Sequence, residues 1–244
     1  ELPTVDYILV PIGGGGLCTG VSTLAKMLNP KIKVIGVEPA GASCMKESLR
    51  QGKVVTLPQV NTIADGTAVK RPGEKLFPYI QENVDEIITI DDNELIVAFL
   101  DMVENHKMIV ENSGLLTVAA LKHIKAEKKK VVSILSGGNM DVITLSSIVQ
   151  HGLIQRDRVF TVSVLLPDKP GELARVSSLL AEQHGNIIKL EHNQFISINR
   201  NAAVELRITM EAFGTEHKNQ IVTALTDAGY RPKLVKVKGT YSEM

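Results

Sequence analysis

Short apolar runs alternate along the chain with stretches in which apolar residues recur at helical spacing. The predicted strands are the apolar runs at residues 8–10, 31–39, 86–90 and 131–135. The predicted helices are residues 19–28, residues 42–51, a helix capped by Asp91 or Asp92, a helix capped by Asn112 or Ser113 that runs to Lys125, and a helix from Met140. This alternation predicts an α/β fold, a parallel sheet with flanking helices.

The pattern changes near residue 151, where "HGLIQRD" (151–157) indicates a polar connector. The order that follows is β-α-β-β-α-β, with elements at 159–166, 171–184, 186–194, 203–211, 217–228 and 233–238. One sheet with two helices on a single face suits a small ferredoxin-like module. We therefore predict two domains, residues 1–154 and residues 155–244.

Composition removes several classes of partner. Lysine plus arginine equals aspartate plus glutamate, 27 each, so no net field attracts nucleic acid or anionic lipid. No apolar stretch reaches the roughly 20 residues that span a bilayer, and no signal peptide is recognisable, so the cytoplasm is the predicted location. Cys18 and Cys44 are predicted to be free, half-buried thiols, and no metal site is expected.

Four consecutive glycines, residues 13–16, separate the first predicted strand from the first helix. A strand, a glycine-rich turn and a helix start together direct backbone N–H groups at one point, which favours a phosphate. A nucleoside-triphosphate loop is excluded because Val21 stands where its lysine would be. A dinucleotide fingerprint stays an alternative, with Glu38 as the ribose-binding acid, although its third glycine falls on Cys18 or Thr19. A tight turn without a ligand is the other alternative.

A second glycine turn follows the predicted strand 131–135, with the sequence Ser136, Gly137, Gly138 and Asn139. The carboxyl ends of parallel strands meet at one edge of a sheet, where open α/β folds bind ligands. Both turns can therefore contact one molecule. Ser136 is either a helix cap or a hydroxyl that hydrogen-bonds a ring heteroatom.

Five segments carry a resemblance to a known family. "VPIGGGGLCTG", "GVEPAGASCMKESLRQGKVV", "TIADGTAVKRPGE", "VENSGLLTVAAL" and "VVSILSGGNMD" occur in that order within residues 5–145. Together they resemble the threonine ammonia-lyase (threonine dehydratase) family of pyridoxal-phosphate enzymes, which includes serine dehydratase and serine racemase. Residues 159–240, with "LPDKPGELARVSSLLAEQHGNI", resemble an ACT domain. The resemblance implies part of a fold type II catalytic domain followed by an amino-acid-sensing module.

The resemblance also implies site residues. The positions that match the loop binding the phosphate of pyridoxal 5'-phosphate are Gly13, Gly14, Gly15, Gly16 and Leu17. Ser136 matches the partner of the pyridine nitrogen, and Gly66 and Glu111 match pocket-lining positions. The family's Schiff-base lysine lies in a Ser-Phe-Lys motif that these 244 residues lack, so no catalytic residue is assigned. Cys44 stands where some relatives have a cation-binding carboxylate, so no metal site is assigned.

The implied reaction is deamination of L-threonine to 2-oxobutanoate and ammonia, with L-serine as a further candidate substrate. The chain begins without methionine, so we expect it to belong to a longer enzyme. Because the family's Schiff-base lysine and the small domain that grips the substrate carboxylate are not found in it, we expect the chain to be inactive alone. The ACT resemblance implies an amino-acid effector, isoleucine or valine, and a homo-oligomer (dimer or tetramer). The effector residues it implies are Asp168, Pro170, Gly171, Gly185, Asn186 and Ile187.

One further hypothesis belongs to a different class of function. It treats the chain as a stand-alone amino-acid sensor whose α/β portion is a relic. The residues upstream of Glu1 would separate this hypothesis from the enzyme, because a Ser-Phe-Lys motif there supports the enzyme and a start codon supports the sensor.

Overall fold

The computed structural model describes residues 4–193 and 204–235. The chain divides into two compact units, Glu1–Val149 and Gln150–Met244. The boundary predicted after residue 154 stays a prediction. Three strands predicted in the second domain, residues 186–194, 203–211 and 233–238, extend at one end into residues outside the described ranges.

The first unit is built on a four-stranded parallel sheet, as predicted. Its strands are β1 (Tyr7–Pro11), β2 (Lys33–Pro39), β3 (Glu86–Ile90) and β4 (Val131–Ser133). Their order is β3-β2-β1-β4, so β1 lies between β2 and β4, and Leu9 pairs with Ile35 on one side and Ser133 on the other. The loops that follow β1 and β4 are therefore neighbours at the carboxyl edge of the sheet.

Six helices are described with this sheet. They are α1 (Gly16–Leu28), α2 (Cys44–Gln51), α3 (Phe77–Asn83), α4 (Asp92–Asp101), α5 (Asn112–Ala119) and α6 (Val142–Gln155). Apolar side chains of β1 alternate between two cores, because Leu9 belongs to one cluster while Val10 belongs to the other. The sheet is thus buried on both faces, which explains its continuous apolar runs.

Several helix boundaries differ from the predicted ones. Helix α1 begins at Gly16, not Thr19. Glycine can adopt helical backbone angles, although its helix propensity is low. The capping prediction for α4 is confirmed at Asp91, which forms a capping box with Glu94. The capping prediction for α5 was wrong, since Asn112 is already the first helical residue and Glu111 is the N-cap.

Other differences lie beyond these caps. Helix α5 ends at Ala119 and continues only as a 3₁₀ turn to His123, short of Lys125. Strand β4 ends at Ser133, two residues before the predicted end. The predicted connector at 151–157 is largely helical, because α6 continues to Gln155 through the buried Gly152, and a glycine weakens a helix without preventing it.

Helix α3 was not predicted from the sequence. Its seven residues give only two buried apolar positions, Phe77 and Ile80, which is too short a segment for periodicity to be recognised. Cys18 and Cys44 are free thiols, as predicted, but both are fully buried, not half-buried. Within the described ranges, no helix is long and apolar enough to cross a membrane.

The second unit is the predicted β-α-β-β-α-β module. Its elements are β5 (Val159–Leu166), α7 (Glu172–Glu182), β6 (Asn186–Asn193), β7 (Val204–Glu211), α8 (Thr215–Asp227) and β8 (Lys233–Val235). The antiparallel sheet has the order β6-β7-β5-β8. Alternate residues such as Val162 and Ile208 pack with Val176 of α7 and Ile221 of α8 in one core. Both helices therefore cover the same face of the sheet.

Candidate functional site

Two glycine turns and two further segments meet at the carboxyl edge of the parallel sheet. A Cβ atom placed on Gly13 would lie 3.2 Å from the carbonyl oxygen of Gly66, in the 3₁₀ turn Asp65–Thr67. A Cβ on Gly66 would lie 2.9 Å from Ser113 Oγ, and one on Gly114 would lie 3.2 Å from the Ser136 nitrogen. The structure thus brings the loop after β1, this turn, the start of α5 and the loop after β4 side by side, as the sequence predicted for the two glycine turns.

Two of the four consecutive glycines are required by the protein itself. Gly15 is the N-cap of α1 with φ = 103°, in the left-handed region that disfavours other residues. A Cβ at Gly15 would lie 2.9 Å from both Ile80 Cδ1 and Met45 Cε. Gly13 is similarly close to the Thr67 backbone, with 3.1 Å from its ideal Cβ position to Thr67 Cα. These two glycines therefore need no ligand to explain them.

Gly14 and Gly16 are different, because a Cβ atom on either would meet no protein atom within 4 Å. The space in front of them is open. Five successive amide N–H groups along this loop have no acceptor among residues 4–193 and 204–235, and they belong to Gly13, Gly14, Gly15, Gly16 and Leu17. The first amides of a helix have no acceptor within the helix, and they carry its positive dipole end. We call these five residues the glycine loop, and its open amides suit an anion.

The loop after β4, residues 136–139, is here called the serine loop. Ser136 is exposed, and its hydroxyl has no hydrogen-bond partner within the described part of the chain. It is not a helix cap, because α6 begins only at Val142 and the Asp141 carboxylate accepts from the amides of the helix's first turn. Its hydroxyl is therefore available to a ligand.

Glu111 lies between the serine loop and the turn at Gly66. Its Oε2 accepts a hydrogen bond from the Asn139 amide at 3.0 Å. Its Oε1 lies 3.4 Å from the ideal Cβ position of Gly66. The two residues predicted to line a pocket are thus brought together, and Glu111 also contacts the loop that carries Ser136.

Sequence analysis missed Gly114 and Ser113. Gly114 lies in α5, and its missing side chain lets the backbone of Ser136 approach the helix. The available signal was a glycine inside a helical pattern, which commonly marks a close approach of another segment. Ser113 gave no signal, because its contact with Thr67, 3.4 Å between the two hydroxyl oxygens, joins segments 46 residues apart.

Glu38 does not support the dinucleotide alternative. Its carboxylate is fully buried, and its two oxygens accept hydrogen bonds from the Met45 and Lys46 amides, each at 2.8 Å. The side chain therefore caps α2 and is not free for a ribose. Burial raises the pKa of Glu38 to about 7, although the two amide hydrogen bonds act in the opposite direction.

The neighbouring thiols are not activated. Burial, followed by the charge of Glu38, raises the pKa of Cys18 to about 12, and the same two causes raise the pKa of Cys44 to about 12. Both thiols therefore stay protonated at neutral pH. Within residues 4–193 and 204–235, no group of three or more His, Cys, Asp or Glu side chains could hold a metal ion.

The six predicted effector residues lie at two ends of α7. Asp168, Pro170 and Gly171 precede the helix and line a depression of about 340 Å³ together with His192. The other three residues follow the helix and are Gly185, Asn186 and Ile187. Helix α7 has 11 residues and therefore separates the two groups by about 16 Å along its axis. A single copy of the chain does not bring the two groups together.

Residues 1–137, more than half of the chain, match the family model described as pyridoxal-phosphate dependent enzyme. The chain belongs to this family. Residues 160–229 match the ACT domain model. The family match spans the glycine loop, Gly66, Glu111 and Ser136, which are the segments that converge at the sheet edge.

Relatives with both parts are also found. The chain is 39% identical over 238 residues to an L-threonine ammonia-lyase of Geobacter sulfurreducens, covering 97% of this chain and 59% of that protein. It is 34% identical over 236 residues to an L-threonine ammonia-lyase of Thermotoga maritima, covering 96% and 59%. The chain therefore spans about 59% of the length of these curated relatives.

A solved structure is also similar to this chain. It is the processed form of threonine deaminase isoform 2 from Solanum lycopersicum, which superposes with a TM-score of 0.57 at 36% identity. The match covers 61% of this chain and 45% of that one.

The described residues fit pyridoxal phosphate, the cofactor of this family. The open amides of the glycine loop suit its phosphate, and the space left by Gly14 and Gly16 lets an anion approach the backbone. The free hydroxyl of Ser136 suits its ring nitrogen, since the serine loop lies beside the glycine loop at the same sheet edge.

Proposed function

We propose that this chain carries the cofactor-phosphate site of an L-threonine ammonia-lyase, which converts L-threonine to 2-oxobutanoate and ammonia. The observation that carries the proposal is the run of five amides without acceptors in the glycine loop, in front of open space. The relatives named L-threonine ammonia-lyase support the choice of substrate. L-Serine is the second candidate substrate, and the cytoplasm is the proposed location.

The glycine loop would bind the phosphate through backbone amides. The loop contains no lysine, so the attraction would come from these N–H groups and from the dipole of α1. Gly15, the N-cap of α1, adopts a left-handed backbone angle immediately before the first amides of the helix. The phosphate would therefore set the position of the cofactor against the sheet edge.

Ser136 would orient the ring. When bound, pyridoxal phosphate supplies a conjugated ring that accepts electron density from an amino-acid substrate. The Ser136 hydroxyl would donate its proton in a hydrogen bond to the ring nitrogen and would carry no charge there. The lysine that this chemistry requires is not assigned to any residue of the chain, since none lies in a Ser-Phe-Lys sequence.

The ACT domain would bind an amino-acid effector, with isoleucine and valine as the candidates. Its two groups of predicted residues lie at opposite ends of α7, which favours a site shared by two copies of the chain. A homo-oligomer is therefore part of the proposal. The free amides of the glycine loop and the free Ser136 hydroxyl favour this enzyme over a sensor with a relic α/β portion. A portion that no longer binds a cofactor does not require an open anion site.

Equilibrium dialysis of the 244-residue chain against pyridoxal phosphate and against pyridoxal tests the phosphate site. We expect pyridoxal phosphate to bind at least about tenfold more tightly, because hydrogen bonds to a charged group contribute about 1.5–3 kcal/mol each. Equal affinity for the two compounds, or binding of neither, would contradict the proposal.

A further inference from the structure

The side chain of Glu111 occupies the space beside Gly137. A Cβ atom on Gly137 would lie 2.4 Å from the carboxyl carbon of Glu111, which is far inside van der Waals contact. Gly137 itself has no left-handed backbone angle that would require glycine. A carboxylate of the chain itself therefore fills the space on this side of the second glycine turn.

Glu111 holds the serine loop at two points, one through its backbone amide and one through its side chain. The Glu111 amide donates to the Gly137 carbonyl oxygen at 3.2 Å, and the Asn139 amide donates to Glu111 Oε2 at 3.0 Å. A hydrogen bond from an amide to a carboxylate is charge-assisted and stronger than a neutral one. Ser136 directly precedes Gly137, the first of these two anchored residues.

The other carboxylate oxygen faces the turn that supports the glycine loop. Glu111 Oε1 lies 3.4 Å from the ideal Cβ position of Gly66. The Gly66 carbonyl oxygen in turn lies 3.2 Å from the ideal Cβ position of Gly13. Gly114, one turn into α5, lets the Ser136 backbone come close to the helix. One carboxylate thus stands between the segments that carry the two candidate ligand contacts.

We propose that Glu111 is a positioning residue, which fixes Ser136 relative to the glycine loop by clamping residues 137 and 139. The role of the clamp toward the cofactor ring rests on the proposed function, but the clamp itself is a property of the chain without a ligand. Glu111 acts through the serine loop and requires no contact of its own with cofactor or substrate.

Hydrogen exchange at the Asn139 amide of the 244-residue chain tests the clamp. Glu111→Ala removes the acceptor, so exchange should become about tenfold faster or more, because a hydrogen bond to a charged group is stronger than a neutral one. Glu111→Gln keeps an acceptor oxygen and should restore most of the protection. The matched control Glu127→Ala changes an exposed carboxylate of the same unit and should leave the Asn139 rate unchanged.

Gly137→Ala provides an independent variant. Its new methyl group would displace the Glu111 side chain, so exchange at Asn139 should accelerate as in Glu111→Ala. In the double variant Glu111→Ala/Gly137→Ala, the new methyl group has no Glu111 side chain to displace. The exchange rate at Asn139 should therefore not exceed that of either single variant. Unchanged exchange in Glu111→Ala, equal rates in the Ala and Gln variants, or additive effects in the double variant would overturn the clamp.

The absorption spectrum of bound pyridoxal phosphate tests the effect on the ring. In Glu111→Ala the absorption maximum should move toward that of the free cofactor, while Glu111→Gln keeps the wild-type maximum. An unchanged maximum in Glu111→Ala would overturn the positioning of Ser136. If the wild-type chain binds no pyridoxal phosphate, the proposed function fails, whereas the exchange rates still decide whether the clamp exists.

Discussion

Single glycines in the glycine loop serve different purposes, although they look equivalent in the sequence. Gly15 is needed by its backbone angle and by its contacts with Ile80 and Met45, whereas Gly14 faces open space. A substitution at Gly15 should therefore change the stability of the fold, whereas a substitution at Gly14 should change the affinity for a ligand that approaches the loop.

We expect Gly15→Ala to lower the free energy of unfolding by about 2 kcal/mol, because an L-residue is strained in the left-handed region. The matched control Gly20→Ala lies in the same helix, where a Cβ meets no atom within 4 Å. It should raise the stability by about 0.5–1 kcal/mol, since alanine favours a helix interior over glycine. Urea unfolding of the two variants checks this, and equal stabilities would show that Gly15 is not constrained as described.

Most elements of the α/β unit are predictable from the sequence, and the exceptions have physical reasons. Apolar runs identified β1 to β4 because both faces of a parallel sheet are buried. Helix α3 was not predicted because Phe77 and Ile80 alone do not define a helical period of apolar residues. The N-cap of α5 was misplaced because Asn112 and Ser113 are good capping residues by type, while the backbone bends one residue earlier, at Glu111.

The candidate site was predictable only in part. The order of strand, glycines and helix indicates an anion site, and a second glycine turn after another strand indicates convergence. The role of Glu111 was not predictable beyond a match in position, because its contacts with Gly137 and Asn139 join residues far apart in the chain.

Helix α2 is capped by a carboxylate whose protonation should affect stability. Burial raises the folded-state pKa of Glu38 from 4.5 to about 7, so the folded chain binds a proton more tightly than the unfolded chain does. The resulting stabilisation is full below pH 4.5 and is lost as the pH rises through 7. Relative to Glu38→Gln, which cannot titrate, the wild-type chain should lose on the order of 3 kcal/mol between pH 4.5 and pH 8. Urea unfolding at several pH values measures this difference, and parallel stability curves for the two proteins would contradict it.

At the scale of the whole molecule, the two groups of predicted effector residues suggest that effector binding and self-association are coupled. If one site uses Asp168 of one copy and Asn186 of another, isoleucine or valine should increase the dimer fraction of the chain in sedimentation velocity. Asp168→Ala should abolish this increase, whereas Asp227→Ala, an exposed carboxylate in α8, should keep it. A sedimentation pattern that neither amino acid changes would argue against the shared site.

The central claim is that the glycine loop binds the cofactor phosphate through its open amides, and the Gly14→Val variant tests it most directly. A valine at Gly14 meets no protein atom at its Cβ and needs no left-handed angle, so the chain should fold normally while its side chain fills the anion's space. The decisive measurement is the affinity ratio of pyridoxal phosphate to pyridoxal, by equilibrium dialysis, for the wild-type chain, Gly14→Val and the control Gly20→Val. We predict a ratio of about ten or more for the wild-type chain and for Gly20→Val, and a ratio near one for Gly14→Val. A Gly14→Val chain that keeps the wild-type ratio would contradict the account.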